Sequence, residues 1–275
     1  METTELTIIK ARPGWQSLNL GELWQYRDLL YFLVWRDIKG RYAQSILGIG
    51  WAIIQPIFSM IIFTIVFGNL AKVSSDGVPY AIFSYAALVP WTYYSNALVG
   101  ASTSLTSSSS MISKVYFPRL IIPLAPALGK LVDFTIAILI LFGLMVWFRT
   151  PPNINALSLP LLIVIMVFTA CGVGMWLTAL GVQYRDINYA MNFVVQLLMY
   201  ASPVVYSASS VPERFRLLYG LNPMTGVIEG FRASLLSTTA MPWDLIAIGG
   251  VMSLFLMVSG AFYFRRMERI FADVA

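Results

Sequence analysis

Lys130 and Asp133 stand one helical turn apart inside the apolar run 120–148, close enough to pair. An ionisable pair buried in such a run is a candidate site for gating or substrate contact. It reads equally as a structural pair. In that case Pro118, Pro123 and Pro126 delay the helix start and leave Lys130 near a surface, free to snorkel. Other chemistry is narrowed by what the chain lacks. There is no histidine, so the usual proton shuttle and the commonest metal ligand are missing. The single cysteine, Cys171, lies in an apolar run, which excludes a disulfide or a cysteine metal site within one chain. No apolar run holds a carboxylate cluster. No G-x-x-x-x-G-K-[ST] loop is present, so ATP hydrolysis by that route is excluded. The expectation is no catalytic residue, no metal site and no cofactor on this chain, with energy supplied from elsewhere.

A second pattern is weaker in charge but richer in contact surface. Asn188, Asn192, Gln196, Met199, Pro203 and Tyr206 recur at helical spacing, and Trp51, Gln55 and Phe58 share one face of an earlier run. Aromatic rings stack on sugar C–H faces and amides bond hydroxyls without holding either tightly, which suits a path for a sugar polymer. The same residues also serve as interhelical glue. The expected channel lining is Trp51, Gln55 and Phe58 facing Asn192, Gln196 and Met199.

The elements that position these residues follow from where charge is absent. No charged residue occurs between Arg41 and Lys72, Asp76 and Lys114, Arg149 and Arg185, Asp186 and Glu213, or Asp244 and Arg265. A helix needs about 20 apolar residues to cross a bilayer core, and a charge at the centre costs roughly 2.5–3.5 kcal/mol on insertion scales. Hydrophobic residues make up 58% of the chain and charged ones 11%, against about 25% charged in soluble domains. The expected fold is all-α, a polytopic membrane protein with six spans near 46–68, 81–101, 120–148, 157–180, 188–207 and 245–264. Six spans put both ends on one side. With the ends inside, only Lys72, Arg149, Arg214, Arg216 and Arg232 lie outside and Lys130 within a span. The other twelve of the 18 Lys and Arg, Lys10, Arg12, Arg185 and Arg269 among them, fall inside, which makes both termini cytoplasmic. Because the basic residues flank apolar runs instead of forming one patch, the net charge of +5 does not imply nucleic acid. The acidic, polar start Met1-Glu2-Thr3-Thr4-Glu5 is not that of a signal peptide.

Three further segments carry organisation. Residues 20–40 form an amphipathic stretch with Asn19 and Glu22 in capping-box positions; it should lie in the interface plane, as an anchor or as the rim of a cytoplasmic entrance. Residues 102–111 read as a flexible Ser/Thr linker or, given Leu105, Met111, Ile112, Tyr116 and Phe117 around Lys114, as a docking helix for a partner. Residues 208–242 are long for a loop. There Asn222-Pro223 is a helix start, and Val227, Ile228, Phe231, Leu235 and Leu236 form an apolar face. Glu229 and Arg232 sit at i, i+3, in a helix expected to dip back into the outer leaflet. The expected division is 1–42 as a cytoplasmic N-terminus with the interfacial helix, 43–265 as the membrane domain and 266–275 as a cytoplasmic tail.

Trp35-Arg36-Asp37-Ile38-Lys39-Gly40-Arg41-Tyr42 with Leu47-Gly48 and Gln55-Pro56 resembles the opening of type 2 ABC transporter permeases that export polysaccharides. Val89-Pro90-Trp91, Ser113-Lys114-Val115-Tyr116-Phe117-Pro118-Arg119, Tyr184-Arg185-Asp186, Ser202-Pro203-Val204-Val205-Tyr206 and Asn222-Pro223-Met224 through Gly230-Phe231-Arg232 resemble the same family in the same order. The nearest likeness is to O-antigen exporter permeases, with capsule and teichoic-acid exporters as relatives. The resemblance implies a six-span permease of the bacterial inner membrane, working as a homodimer with two copies of a separate ATPase that holds ATP and Mg. The implied cargo is a lipid-linked polysaccharide. It implies a coupling helix on the ATPase between spans two and three, at Leu105, Met111, Ile112, Lys114 and Tyr116. It also implies a periplasmic gate before span six, with Tyr206, Glu229 and Arg232. A permease for a drug or another lipid shares this fold. A membrane transferase on a lipid carrier would instead cluster charges at one membrane face, and here they are scattered.

Overall fold

The computed structural model describes residues 20–43, 47–112, 114–184 and 186–268. The Asn19 cap, Lys10, Arg12, Ser113, Arg185 and Arg269 of the expectations lie outside them, as do the first nineteen residues and most of the tail. Every regular element among the described residues is helical. The α-helices in chain order are α1 (Leu20–Gln25), α2 (Arg27–Tyr42), α3 (Gly50–Phe63), α4 (Tyr80–Ser107), α5 (Ser109–Ile112), α6 (Ile121–Gly129), α7 (Leu131–Phe148), α8 (Leu159–Gln183), α9 (Asp186–Tyr200), α10 (Arg216–Gly220), α11 (Pro223–Leu236) and α12 (Trp243–Met267).

Among the described residues four helical stretches are long and apolar enough to cross a membrane: Gly50–Leu70, Ile121–Phe148, Ile154–Gln183 and Trp243–Met267. The first continues α3 through a π-helical segment, Thr64–Leu70. α4, with 28 residues, rises about 42 Å, but its tyrosines, serines and threonines keep it out of that apolar set. α9 has 15 residues and rises about 22 Å, short of a bilayer core of roughly 30 Å. The expected fifth span therefore ends at Tyr200, because the chain turns sharply before Pro203 instead of running on to 207. The expected third span is two helices that meet at Lys130. Pro123 and Pro126 are accommodated in α6 rather than delaying its start. The supposed linker 102–107 is the last part of α4, whose hydroxyls bond back to carbonyls of their own helix, as Ser104 Oγ does to Ala101 O at 2.7 Å.

α4 is the axis of the molecule. It packs against α3, α6, α7, α8, α9 and α11 and is buried over most of its length. α8 and α12 cross in close backbone contact. A Cβ on Gly172 would stand 2.5 Å from the Leu256 carbonyl carbon, and Gly260 presses on the Gly172 carbonyl. Small residues at a helix crossing let dispersion contacts replace the hydrophobic drive that is absent between helices in lipid. α2 lies along α6, with Leu33 buried against Ile121 and Ala125. α1, α5, the end of α12 and residues 114–119 share one end of the bundle, tied by Arg119 Nη1 donating to Glu268 O (2.8 Å) and by Arg265 beside Glu22 (3.9 Å). This is the near end below. The opposite, far end carries the 71–79 loop, the 201–222 segment and α10.

Candidate functional site: two charged clusters and two exposed faces

The near-end cluster forms where α2 meets the break between α6 and α7. Arg41 reaches Asp133 through Nη1, and its Nη2 donates to Asp37 Oδ2 at 2.8 Å. The Tyr42 hydroxyl also donates to Asp133. Burial, and then the Asp133 carboxylate it faces, push the Tyr42 phenol up to about 12, so it stays a donor. Lys130 Nζ lies 3.9 Å from Asp133 Oδ2. The expected Lys130–Asp133 pair is thus brought together, but the closer partners of the carboxylate come from α2, 92 and 91 positions away. Two cations and two carboxylates leave the cluster neutral. Gly129 makes room for it, since a Cβ there would meet Asp37 Oδ2 at 2.7 Å.

A cavity of about 210 Å³ opens beside this cluster, lined by Arg41, Tyr42, Trp51, Gln55, Asn96, Lys130 and Asp133 among others. A second cavity of about 280 Å³ shares Asn96 and Lys130 and is lined further by Arg36, Asp37, Thr103, Ser104 and Ser107. Charges that would be costly in a closed interior are therefore next to space that water can enter.

Trp51 and Gln55 of the expected channel face reach the first cavity, whereas Phe58, on the same helix, is exposed away from it. Asn192 and Gln196 are exposed on α9, and Met199 is half-buried. Both helices pack on α4, and most of the α3 surface is bare in a single chain. The structure leaves these two faces open without placing one against the other.

At the far end, Tyr206, Glu229 and Arg232 come together. Arg232 is fully buried. Its Nη1 donates to Pro203 O (2.7 Å), Tyr206 O (2.9 Å) and Glu229 Oε1 (3.0 Å), its Nη2 to Val204 O (2.8 Å) and its Nε to Phe83 O (3.3 Å). The guanidinium lies 3.6 Å from the centre of the Phe83 ring. Tyr80 donates to Val205 O at 2.7 Å, and Asn222 to Ser202 Oγ at 2.9 Å. Beyond Ala201, whose N–H still bonds Leu197 O at 3.0 Å, the chain runs mostly buried and outside any helix to Ser207, so its carbonyls need other partners. One arginine supplies three of them. α11 holds that arginine in place. Its N-cap Asn222 accepts from Met224 N–H at 3.1 Å, with Pro223 at the first helical position, as the sequence signalled. Moving Arg232 would strand buried carbonyls, and moving Glu229 would strand the Ala208 N–H, so both residues hold this turn in place. Tyr206 is the more accessible member; its hydroxyl donates to Tyr200 O and accepts from Tyr219.

The expected docking residues separate by exposure. Leu105 is 4% exposed and packs with Phe117, Ile122, Met175 and Phe264, so it anchors the segment from within and offers no contact surface. Met111 and Ile112 are half-buried against the same cluster. Lys114 is exposed, and Val115 and Tyr116 are exposed at 58% and 80%.

The sequence profile of the ABC-2 type transporter family matches residues 28–236, most of the chain and every one of these sites except the end of α12. The chain belongs to the ABC-2 type transporter family. It is 27% identical over 258 residues to the O-antigen export system permease protein RfbA of Klebsiella pneumoniae, covering 93% of this chain and 97% of that one. To the RfbA of Myxococcus xanthus it is 26% identical over 214 residues, covering 77% and 82%. To the polysialic acid transport protein KpsM of Escherichia coli it is 21% identical over 196 residues, covering 70% and 76%. With its apolar helices this ABC-2 type chain is an integral membrane protein.

Arg41, Tyr42, Asp37 and Asn96 are the site residues that sequence reasoning missed in this ABC-2 chain. Arg41 and Tyr42 stood in the quoted opening motif as position markers with no chemical role. Asn96 had a signal, as the single amide of α4. Asp37 had a local signal in its i, i+4 spacing to Arg41, but its place beneath Gly129 was not legible.

Proposed function

We propose that this chain is the membrane permease of an ABC exporter that carries a lipid-linked polysaccharide of O-antigen type out of the cytoplasm. The observation that supports the cargo is the likeness to O-antigen export permeases over nearly the full length of both chains. The exposed Trp51, Gln55 and Phe58 face and the Asn192 and Gln196 face fit the same reading. Two copies of the chain would bring these faces to one path, where weak repeated contacts leave no position as a trap. In this reading the protein sits in the bacterial inner membrane with six spans, α4 and α9 included, and with both ends in the cytoplasm. α11 enters the outer leaflet from outside. Its buried arginine suits that place, because non-helical backbone at membrane depth is tolerated only when surrounded by protein or lining a water-filled cavity. The interfacial region 1–42 leads into the membrane domain 43–265 and the tail 266–275. Two copies of a separate ATPase bind ATP and Mg and dock on Lys114, Val115 and Tyr116, with Met111 and Ile112 beneath. Since Leu105 points inward, the docking surface is narrower than the sequence suggests.

Deleting the gene in a strain that makes a surface polysaccharide tests this. Surface polymer should disappear while lipid-linked polymer accumulates inside, and the chain should restore export only together with its ATPase. Unchanged surface polymer in the deletion strain would sink the cargo assignment. ATP turnover by the purified chain alone would sink the permease assignment.

A further inference from the structure

A third cavity, of about 240 Å³, lies at the far end between the 207–211 segment, α10, the middle of α11 and the turn before α12. Its polar lining includes Ser207, Tyr219, Glu229 and Thr239, and its apolar lining includes Val211 and Leu245. Glu229 is only 4% exposed, yet it reaches this space. Its Oε1 is taken by Ala208 N–H (3.0 Å) and by Arg232 (3.0 Å), and no described residue donates to Oε2. Ser207 Oγ accepts from the Ser209 amide (3.3 Å) and hydroxyl (3.0 Å), which leaves its own proton to give. The Tyr219 hydroxyl donates to Tyr206 (3.0 Å), which leaves its lone pairs to accept. The cavity therefore presents acceptors and donors side by side, with apolar walls between them.

The charge balance narrows the ligand. Arg232 neutralises Glu229, and Arg216 at the cavity edge is held by Asp244 through two bonds, 2.7 and 3.1 Å. Among the described residues no unpaired cation faces the space to favour a phosphate. A neutral ligand carrying several hydroxyls and one apolar face matches, in a space of about 240 Å³. That is the scale of a single six-membered sugar ring and too small for a polymer to pass through.

We propose that this cavity is a subsite for one pyranose unit of the glycan at the far end of the permease, with Glu229 Oε2 and the Tyr219 and Ser207 hydroxyls bonding its hydroxyls. The proposal rests on the polysaccharide-export reading above. The site is a lateral pocket, so it would hold a chain end or a side branch while the backbone of the polymer moves past.

The test uses the full chain with its ATPase in cells that make the polymer. A benzophenone amino acid replaces Ala240, an exposed residue at the cavity, or Gln55 as the control on the proposed path. After irradiation, the Ala240 position should yield a ladder of polymer adducts, absent in cells blocked in polymer synthesis. Adding Thr239→Trp, which fills the cavity mouth from the surface, should abolish the ladder at Ala240 and leave that at Gln55. A ladder at Gln55 with none at Ala240 would overturn the subsite and leave the export reading intact. A single small adduct at Ala240 would mean free sugar and would also overturn it. Failure at both positions, with surface polymer unchanged on gene deletion, would remove the export reading and the subsite with it.

Discussion

The near-end and far-end charged clusters hold the same kinds of groups and treat them in opposite ways. At the far end a carboxylate and a guanidinium three residues apart on α11 are buried together, and the arginine spends most of its donors on backbone carbonyls of another segment. At the near end, residues of α2 and of the α6–α7 junction meet beside open cavities, and the partners are side chains apart from one bond within α2, Arg41 Nε to Asp37 O at 3.3 Å. A buried pair that also satisfies backbone cannot be exchanged for anything else of its shape. A pair between side chains beside a cavity can part, because water can take the place of either partner. The first cluster is built to hold a non-helical turn. The second ties the end of α2 to the α6–α7 junction beside space that water can enter.

Four outcomes would sharpen or break this contrast, taken from the largest effect down. Arg232→Met should cost the most, about 3–5 kcal/mol as for other broken buried pairs, because it strands Glu229 and three carbonyls. Little monodisperse protein should then survive detergent extraction and size exclusion. Arg232→Lys should rescue little, since one ammonium cannot reach the spread of acceptors. Normal yields from Arg232→Met would end the account of the turn.

At the near end, Asp133→Ala and Arg41→Ala should each lower thermal stability by a smaller amount, and the double variant should regain part of it. The coupling should fall in the range of about 0.5–3 kcal/mol measured for contacting residues, and it should exceed that of the Lys130→Ala, Asp133→Ala pair. If the Lys130 cycle shows the larger coupling, Arg41 is not the main partner. Accessibility gives the third outcome. With Cys171 replaced by Ala, cysteines at Gln55 and Asn96 should react with a polar thiol reagent in membranes, and a cysteine at Val204 should not. Equal labelling at all three would erase the distinction between the clusters. The smallest effect is Tyr42→Phe, which removes one hydrogen bond to a charged group, worth about 1.5–3 kcal/mol when fully buried and less beside a cavity. Its melting temperature should shift by less than that of Asp133→Ala.

Much of this architecture is legible along the chain. Three of the charge-free windows hold the apolar stretches Gly50–Leu70, Ile154–Gln183 and Trp243–Met267, because the bilayer penalises charge along a span whichever neighbours it has. Asn222-Pro223 marks the start of α11 because a cap is made within three residues of itself. The Lys130–Asp133 contact is legible for the same reason, being one turn of helix. Hidden were the ends of helices that break for tertiary reasons. The turn after Tyr200 carries no glycine and is stable only because Arg232, Tyr80 and Asn222 meet its polar groups. The inward side of residue 105 was equally hidden, since an apolar residue in a serine-rich stretch reads as a contact surface until the helix carrying it is oriented against α8 and α12.

The sequence by itself therefore determined the all-helical membrane class, the approximate course of the apolar segments, the lack of a nucleotide-binding loop and the family resemblance. Each of these depends on composition or on spacings of a few residues. The tertiary structure decided that Asp133 belongs to Arg41 and Tyr42, that Arg232 holds a turn 26–29 positions away, and that Leu105 faces the core. Those contacts join segments far apart in sequence, and their geometry exists only after the helices have packed.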